Sequence, residues 1–147
     1  MGRRAGGWLM LGLVMAGCAG PTASRHPAPS GLPQPPADLQ RFRQRGLASW
    51  YGWPHHGRQT ASGEIYDMNE LTAAHRSLPF GTRVLVTNVE NGRTVEVRIN
   101  DRGPFVDGRI VDLSLAAARR LGIVGHGLVP VELRVVAPPP EPPAGGR

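Results

Sequence analysis

The stretch Val95-Glu96-Val97-Arg98-Ile99-Asn100-Asp101-Arg102-Gly103-Pro104-Phe105 constrains the chain most. Val95, Val97 and Ile99 alternate with Glu96 and Arg98, the period of a strand with one apolar face. The alternation ends in the polar run Asn100-Asp101-Arg102, and Gly103-Pro104 follows. Proline cannot donate to a ladder and glycine opens unusual backbone angles, so the strand stops there. If no bulge intervenes, Asp101 shares the parity of Val95, Val97 and Ile99. It is then a carboxylate at the mouth of an apolar face, where loss of water favours the protonated form that a proton donor requires.

Strand signals recur on both sides of this stretch. Leu47 to Gly52 reads as a short strand closed by glycine, and Leu71 to His75 is read as a strand in preference to a helical turn. Arg83 to Val89 is rich in β-branched residues, and Asn91-Gly92 favours a tight hairpin into the return strand from Thr94. Ile110 to Leu113 is a further strand. Ser114 fits the N-cap of a two-turn helix, Leu115 to Leu121, which ends in Arg119, Arg120 and then Gly122. Val129, Val131, Leu133 and Val135 share one face of a last strand, with Pro130 marking its start or an edge. Short strands and one small helix predict a compact all-β barrel over residues 46–136, long enough to bury one small core.

The segments outside that barrel have other signatures. Residues 1–17 combine Arg3 and Arg4 with an apolar run from Trp8 to Ala16, the pattern of a signal peptide. The run is far shorter than the roughly 20 residues that span a bilayer. Met15-Ala16-Gly17-Cys18 is similar to a bacterial lipobox, which makes Cys18, the only cysteine, the candidate lipidation site. The alternative is a small buried thiol. Several acyl chains would hold the chain stably on a membrane. Residues 18–45 contain six prolines and read as an extended tether. Residues 137–147 read as a disordered proline-rich tail that does not pack.

The net charge of +6 invites a nucleic-acid reading, but its distribution argues against one. Leader and tether carry six arginines and one aspartate, whereas residues 46–136 hold ten arginines against nine acids. No nucleic-acid partner is therefore expected. His55, His56 and His75 lack the spacing of a zinc site, so neither metal nor cofactor is expected. Gly-rich phosphate loops and nucleophile elbows are absent from the sequence.

One ordered set of motifs covers the whole predicted barrel. Ala48-Ser49-Trp50-Tyr51-Gly52, His56-Gly57-Arg58, Thr60-Ala61-Ser62-Gly63-Glu64 and Leu71-Thr72-Ala73-Ala74-His75 come first. Leu78-Pro79-Phe80-Gly81-Thr82, Val86-Thr87-Asn88 and Asn100-Asp101-Arg102-Gly103-Pro104-Phe105 follow, then Asp112-Leu113-Ser114, Ala117-Ala118 and Leu121-Gly122. This set resembles the rare lipoprotein A family. The resemblance implies a six-stranded double-psi β-barrel and an envelope lipoprotein that associates with peptidoglycan. It further implies a lytic transglycosylase that cleaves between N-acetylmuramic acid and N-acetylglucosamine, leaves a 1,6-anhydro end and favours strands stripped of stem peptides. A non-catalytic wall-binding module is the alternative. The family's functional positions match Glu64, His75 and Asp101. His55 departs from the pattern, standing where an apolar or aromatic residue is common. Ala19 after Cys18 points to the outer membrane if the cell is Gram-negative.

The chemistry assigns roles to these positions. A transglycosylase protonates the glycosidic oxygen and then takes a proton from the sugar's own C6 hydroxyl, and one carboxyl can do both in turn. Asp101 is the candidate for that carboxyl, against the alternative of a turn aspartate accepting backbone hydrogen bonds. Glu64 binds sugar hydroxyls, steadies positive charge or shares a proton with Asp101, or else is a solvated turn acid. His75 orients Glu64 or binds saccharide, or else is a structural histidine. Tyr51 is a candidate sugar contact, with core packing expected for one of Trp50 and Tyr51. Arg102 pairs with Asp112 or contacts a substrate carboxylate. A monomer is expected, with peptidoglycan and a membrane as its partners.

Overall fold

The computed structural model describes residues 37–141. The expected leader, Cys18 and most of the tether lie outside them. The described chain begins with one helical turn, α1 (Ala37–Gln40), and β1 (Arg43–Tyr51) follows. The strand thus starts three residues before the boundary expected at Gly46. Leu39 and Phe42 account for the difference, because both pack against the hydrophobic core. A loop from Gly52 to Leu71 holds a single 3-10 turn, Trp53–His55, and one isolated bridge between Gln59 and Ile65. Next come β2 (Thr72–His75), β3 (Arg83–Asn88), β4 (Thr94–Asp101), β5 (Arg109–Ser114), α2 (Leu115–Leu121) and β6 (Val129–Ala137).

The strands close into a barrel in the order β1-β5-β2-β4-β3-β6. The β1/β5 and β2/β4 pairs are parallel and the other four antiparallel. This is the six-stranded double-psi barrel, and its closure leaves no strand edge to protect. Pro130 therefore marks a strand start: it is the second residue of β6, and its carbonyl accepts from Val89 N–H at 3.1 Å. Val84, Val86, Val97, Val111, Leu113, Val131 and Leu133 are buried inside the barrel with Ile99. Burial of such side chains contributes about 1.5–3 kcal/mol each. The α2 caps match the sequence reading: Ser114 Oγ accepts from Ala117 N–H at 3.2 Å, and Gly122 closes the helix at φ 72°.

Two expectations are corrected. The tail packs at its start: a β-carbon on Gly81 (φ 88°) would lie 2.8 Å from Pro140 Cδ. A bulge does intervene in β4. Ala73 pairs with Ile99 but Ala74 pairs with Asp101, leaving Asn100 as the extra residue. Asp101 therefore leaves the register of Val95, Val97 and Ile99 and is half-buried, not inside the core.

Candidate functional site

The bulge sets the site. Asn100 is buried, its carbonyl accepts from Ser62 N–H at 3.3 Å, and its Nδ2 donates to Glu64 Oε2 at 3.2 Å. These contacts fix the Thr60–Glu64 turn beside the end of β4. The turn in turn reaches Asp101, whose Oδ1 accepts from Ala61 N–H at 2.9 Å and from Arg102 N–H at 2.8 Å. Oδ2 accepts no hydrogen bond among the described residues.

Beyond Asp101 the chain turns through Gly103, at φ 113°, and Pro104. Two arginines fasten this corner. Arg76 donates from Nε to Pro104 O at 2.5 Å and from Nη2 to Val106 O at 2.6 Å. Arg102 donates from Nη1 to Leu78 O at 2.8 Å and to His75 O at 3.3 Å, and its guanidinium lies 3.8 Å over the Phe80 ring. The expected Arg102–Asp112 pair is not formed, because carbonyls at the end of β2 take the guanidinium.

Asp101 lines an open cleft of about 510 Å³. Tyr51 from β1 lies in its wall, with its ring 4.6 Å from that of Tyr66. Tyr66 is itself buried and donates to Tyr51 O at 2.7 Å. The Tyr51 hydroxyl is buried and bonds nothing among the described residues. Burial, with the Asp101 carboxylate as the next cause, pushes this phenol up, so Tyr51 stays a neutral donor. Trp50 also borders the cleft, and it packs on the core. Trp53 is exposed and stacks on His56, with 5.7 Å between ring centroids.

Sequence reasoning missed a polar cluster in the same cleft. Asp112 Oδ1 accepts from Ser49 Oγ and from Arg109 Nη2, the latter at 2.5 Å, and Arg109 Nη2 also reaches Ser49 Oγ at 2.6 Å. Ser49 and Asp112 are opposite each other in the parallel β1/β5 pair. Only that register reveals the cluster, since 63 positions separate the two residues.

Glu64 and His75 do not line this cleft. Glu64 lies outside it, gripped by Arg98 Nη1 at 2.6 and 2.9 Å, and the arginine's hydrogen bonds hold its carboxyl below the usual glutamate range. His75 is 2% exposed at the end of β2. Its Nδ1 accepts from Ser77 N–H at 3.2 Å and Leu78 N–H at 3.1 Å, which leaves Nε2 to donate to Gln44 Oε1 at 2.9 Å. Burial lowers its pKa to about 4, with Arg102 and Arg76 adding to the effect. Neither nitrogen bonds Glu64, and no hydrogen bond joins Glu64 to Asp101. The structure brings Asp101, Tyr51 and Arg102 to one cleft and leaves Glu64 and His75 behind it.

Comparison with known proteins gives concordant results. The chain is 62% identical over 100 residues to the probable endolytic peptidoglycan transglycosylase RlpA of Synechocystis sp., covering 68% of this chain and 31% of that protein. It is 51% identical over 104 residues to the endolytic peptidoglycan transglycosylase RlpA of Neisseria meningitidis serogroup A, covering 71% and 44%. The chain thus spans less than half the length of these curated relatives. Among solved structures, the Streptomyces papain inhibitor (SPI) aligns with a TM-score of 0.54 at 25% identity, over 65% of this chain and 96% of that one. The apo expansin of Clavibacter michiganensis aligns with a TM-score of 0.53 at 24% identity, over 69% and 54%, and shows the shared fold alone. With residues 43–133 matching the family model described as lytic transglycolase and RlpA proteins as relatives, the chain belongs to the lytic transglycolase family, as a rare lipoprotein A-like member.

Proposed function

We propose that this protein is a peptidoglycan lytic transglycosylase, with Asp101 as its acid and base. The observation that carries the reading is the free Oδ2 of a carboxylate fixed by two backbone N–H groups at the wall of an open cleft. Asp101, protonated, gives its proton to the glycosidic oxygen between N-acetylmuramic acid and N-acetylglucosamine. The bond from that oxygen to the anomeric carbon breaks, and the C6 hydroxyl oxygen of the same muramoyl residue bonds to that carbon. The hydroxyl proton returns to Asp101. No water is consumed, and the products are a 1,6-anhydro end and a new sugar hydroxyl.

The remaining residues act on this centre in different ways. Tyr51, whose hydroxyl is buried, meets a sugar in the cleft with its ring. Glu64 acts on position: through Asn100 it fixes the turn that brings Ala61 N–H to Asp101. His75 acts through backbone as well. Its ring holds Ser77 and Leu78, and Leu78 O holds Arg102, the neighbour of Asp101. The substrate is a glycan strand without stem peptides. A lipid on Cys18 tethers the barrel within the cell envelope, and the chain acts as a monomer.

The test is product analysis. Purified protein incubated with stem-peptide-free strands should release muro-oligosaccharides with anhydro ends, lighter by one water than hydrolysis products. Hydrolytic ends, or no cleavage, would contradict the proposal. A second reading, a non-catalytic glycan-binding module, draws on the tie of Asp101 Oδ1 to two N–H groups, as in a turn aspartate. It requires sacculus binding with no products and no change in binding on Asp101→Asn.

A further inference from the structure

Five charged side chains line the cleft: Arg58, Asp101, Arg102, Arg109 and Asp112. Four of them have partners. Arg109 and Asp112 pair at 2.5 Å, Arg102 is taken up by two carbonyls and the Phe80 ring, and Asp101 accepts two backbone N–H groups. Arg58 is the exception. Its backbone is fixed, with N–H donating to His55 O at 3.0 Å and C=O accepting from Tyr66 N–H at 2.8 Å. Its guanidinium makes no hydrogen bond, ion pair or ring contact among the described residues. In the same cleft the Nε of Arg109 is buried without a partner among the described residues. Three arginines against two aspartates leave the cleft net positive, with one fork-shaped donor uncommitted.

A guanidinium fork in this state suits a planar carboxylate. A peptidoglycan glycan strand is neutral except for one group, the lactyl carboxyl of muramic acid. Where a stem peptide is attached, that group is an uncharged amide with a substituent. We infer that Arg58 is a specificity-determining residue that binds the free lactyl carboxylate and so distinguishes bare strands from peptide-bearing ones. This inference rests on the lytic reading above and assigns a task to a residue that reading leaves unused.

The test compares two substrates that differ only there: stem-peptide-free strands and the same strands with lactyl carboxyls converted to methylamides. The wild type should favour the free carboxylate about tenfold or more in kcat/KM, as a charge-assisted bond allows. The preference should fall as salt is raised. Arg58→Gln should bring the ratio to within about twofold, mainly through KM on the carboxylate strands. Arg58→Lys, which keeps the charge but loses the fork, should fall between. Melting temperatures of both variants serve as the fold control, since the side chain is exposed. Calorimetric binding of both strands to Asp101→Asn gives the same comparison without turnover. Equal wild-type rates on the two substrates, or a full preference retained by Arg58→Gln, would overturn the inference. If the wild type cleaves neither strand, the lytic reading fails, and the binding ratio alone decides the role of Arg58.

Discussion

Ala61 donates its backbone N–H to Asp101 Oδ1 over 2.9 Å, from 40 positions earlier in the chain. The candidate acid is therefore held by a turn, and that turn is held by the bulged residue next to the acid, Asn100. Three consecutive features of β4 share the work. Ile99 anchors the strand in the core, Asn100 grips the turn, and Asp101 meets the cleft.

His75 should govern the acid limb of stability. Its folded pKa is depressed to about 4 from an ordinary 6.5, so the unfolded chain binds the extra proton first. The contribution is complete above pH 6.5 and is lost as the pH falls toward 4. At 1.36 kcal/mol per pH unit, it is on the order of 3 kcal/mol. Urea midpoints of the wild type should decline across this window. His75→Asn, whose side-chain oxygen can still accept the two N–H groups, should flatten the decline. A slope identical to wild type would contradict the assignment.

Glu64→Gln should cost little stability, under about 1 kcal/mol, because the carboxylate is 44% exposed and its pair with Arg98 is screened by water. Since Arg98 lowers the Glu64 pKa, the stabilisation exists above the ordinary glutamate range and disappears as the pH drops through the depressed value. The stability gap between wild type and variant should close on acidification, as read by chemical denaturation at several pH values. A gap that widens would refute the pairing. Strand cleavage should fall further than stability does, through the loosened turn.

Breaking the cleft cluster should be costly. Asp112→Ala leaves the guanidinium of Arg109 in a half-buried site with only Ser49 as its partner. The expected loss is about 2–3 kcal/mol by thermal or urea denaturation. Removing both charges with Arg109→Ala and Asp112→Ala should recover part of it, because no unpaired charge is then left behind. A double variant as unstable as the sum of the two singles would show that they do not interact.

The elements that read well from sequence are those governed by short-range rules. The β4 alternation through Ile99 and the Ser114 and Gly122 caps of α2 are present, and the β3–β4 hairpin forms with Gly92 at φ 73°, though its loop is longer than a tight Asn91-Gly92 turn. The resemblance supplied the double-psi closure. Parity failed at Asn100, because a bulge depends on the partner strand: β2 reads as a strand, but its four buried residues, Thr72, Ala73, Ala74 and His75, carry no alternation that fixes its register. The N-terminal boundary moved to Arg43 because Leu39 and Phe42 find apolar surface that local sequence does not reveal. The Ser49–Arg109–Asp112 cluster needed the register of a parallel pair. His75 is explained by Gln44, which belongs to β1 although the sequence around it reads as tether.

The most direct test is cleavage of stem-peptide-free glycan strands by wild type and Asp101→Asn, measured side by side with melting temperatures. Asparagine keeps an oxygen for Ala61 and Arg102 N–H but cannot carry the proton. The account predicts a folded variant with at least about a hundredfold loss of anhydro-ended product, the lower range of general acid catalysis. Unchanged product formation by folded Asp101→Asn would contradict it.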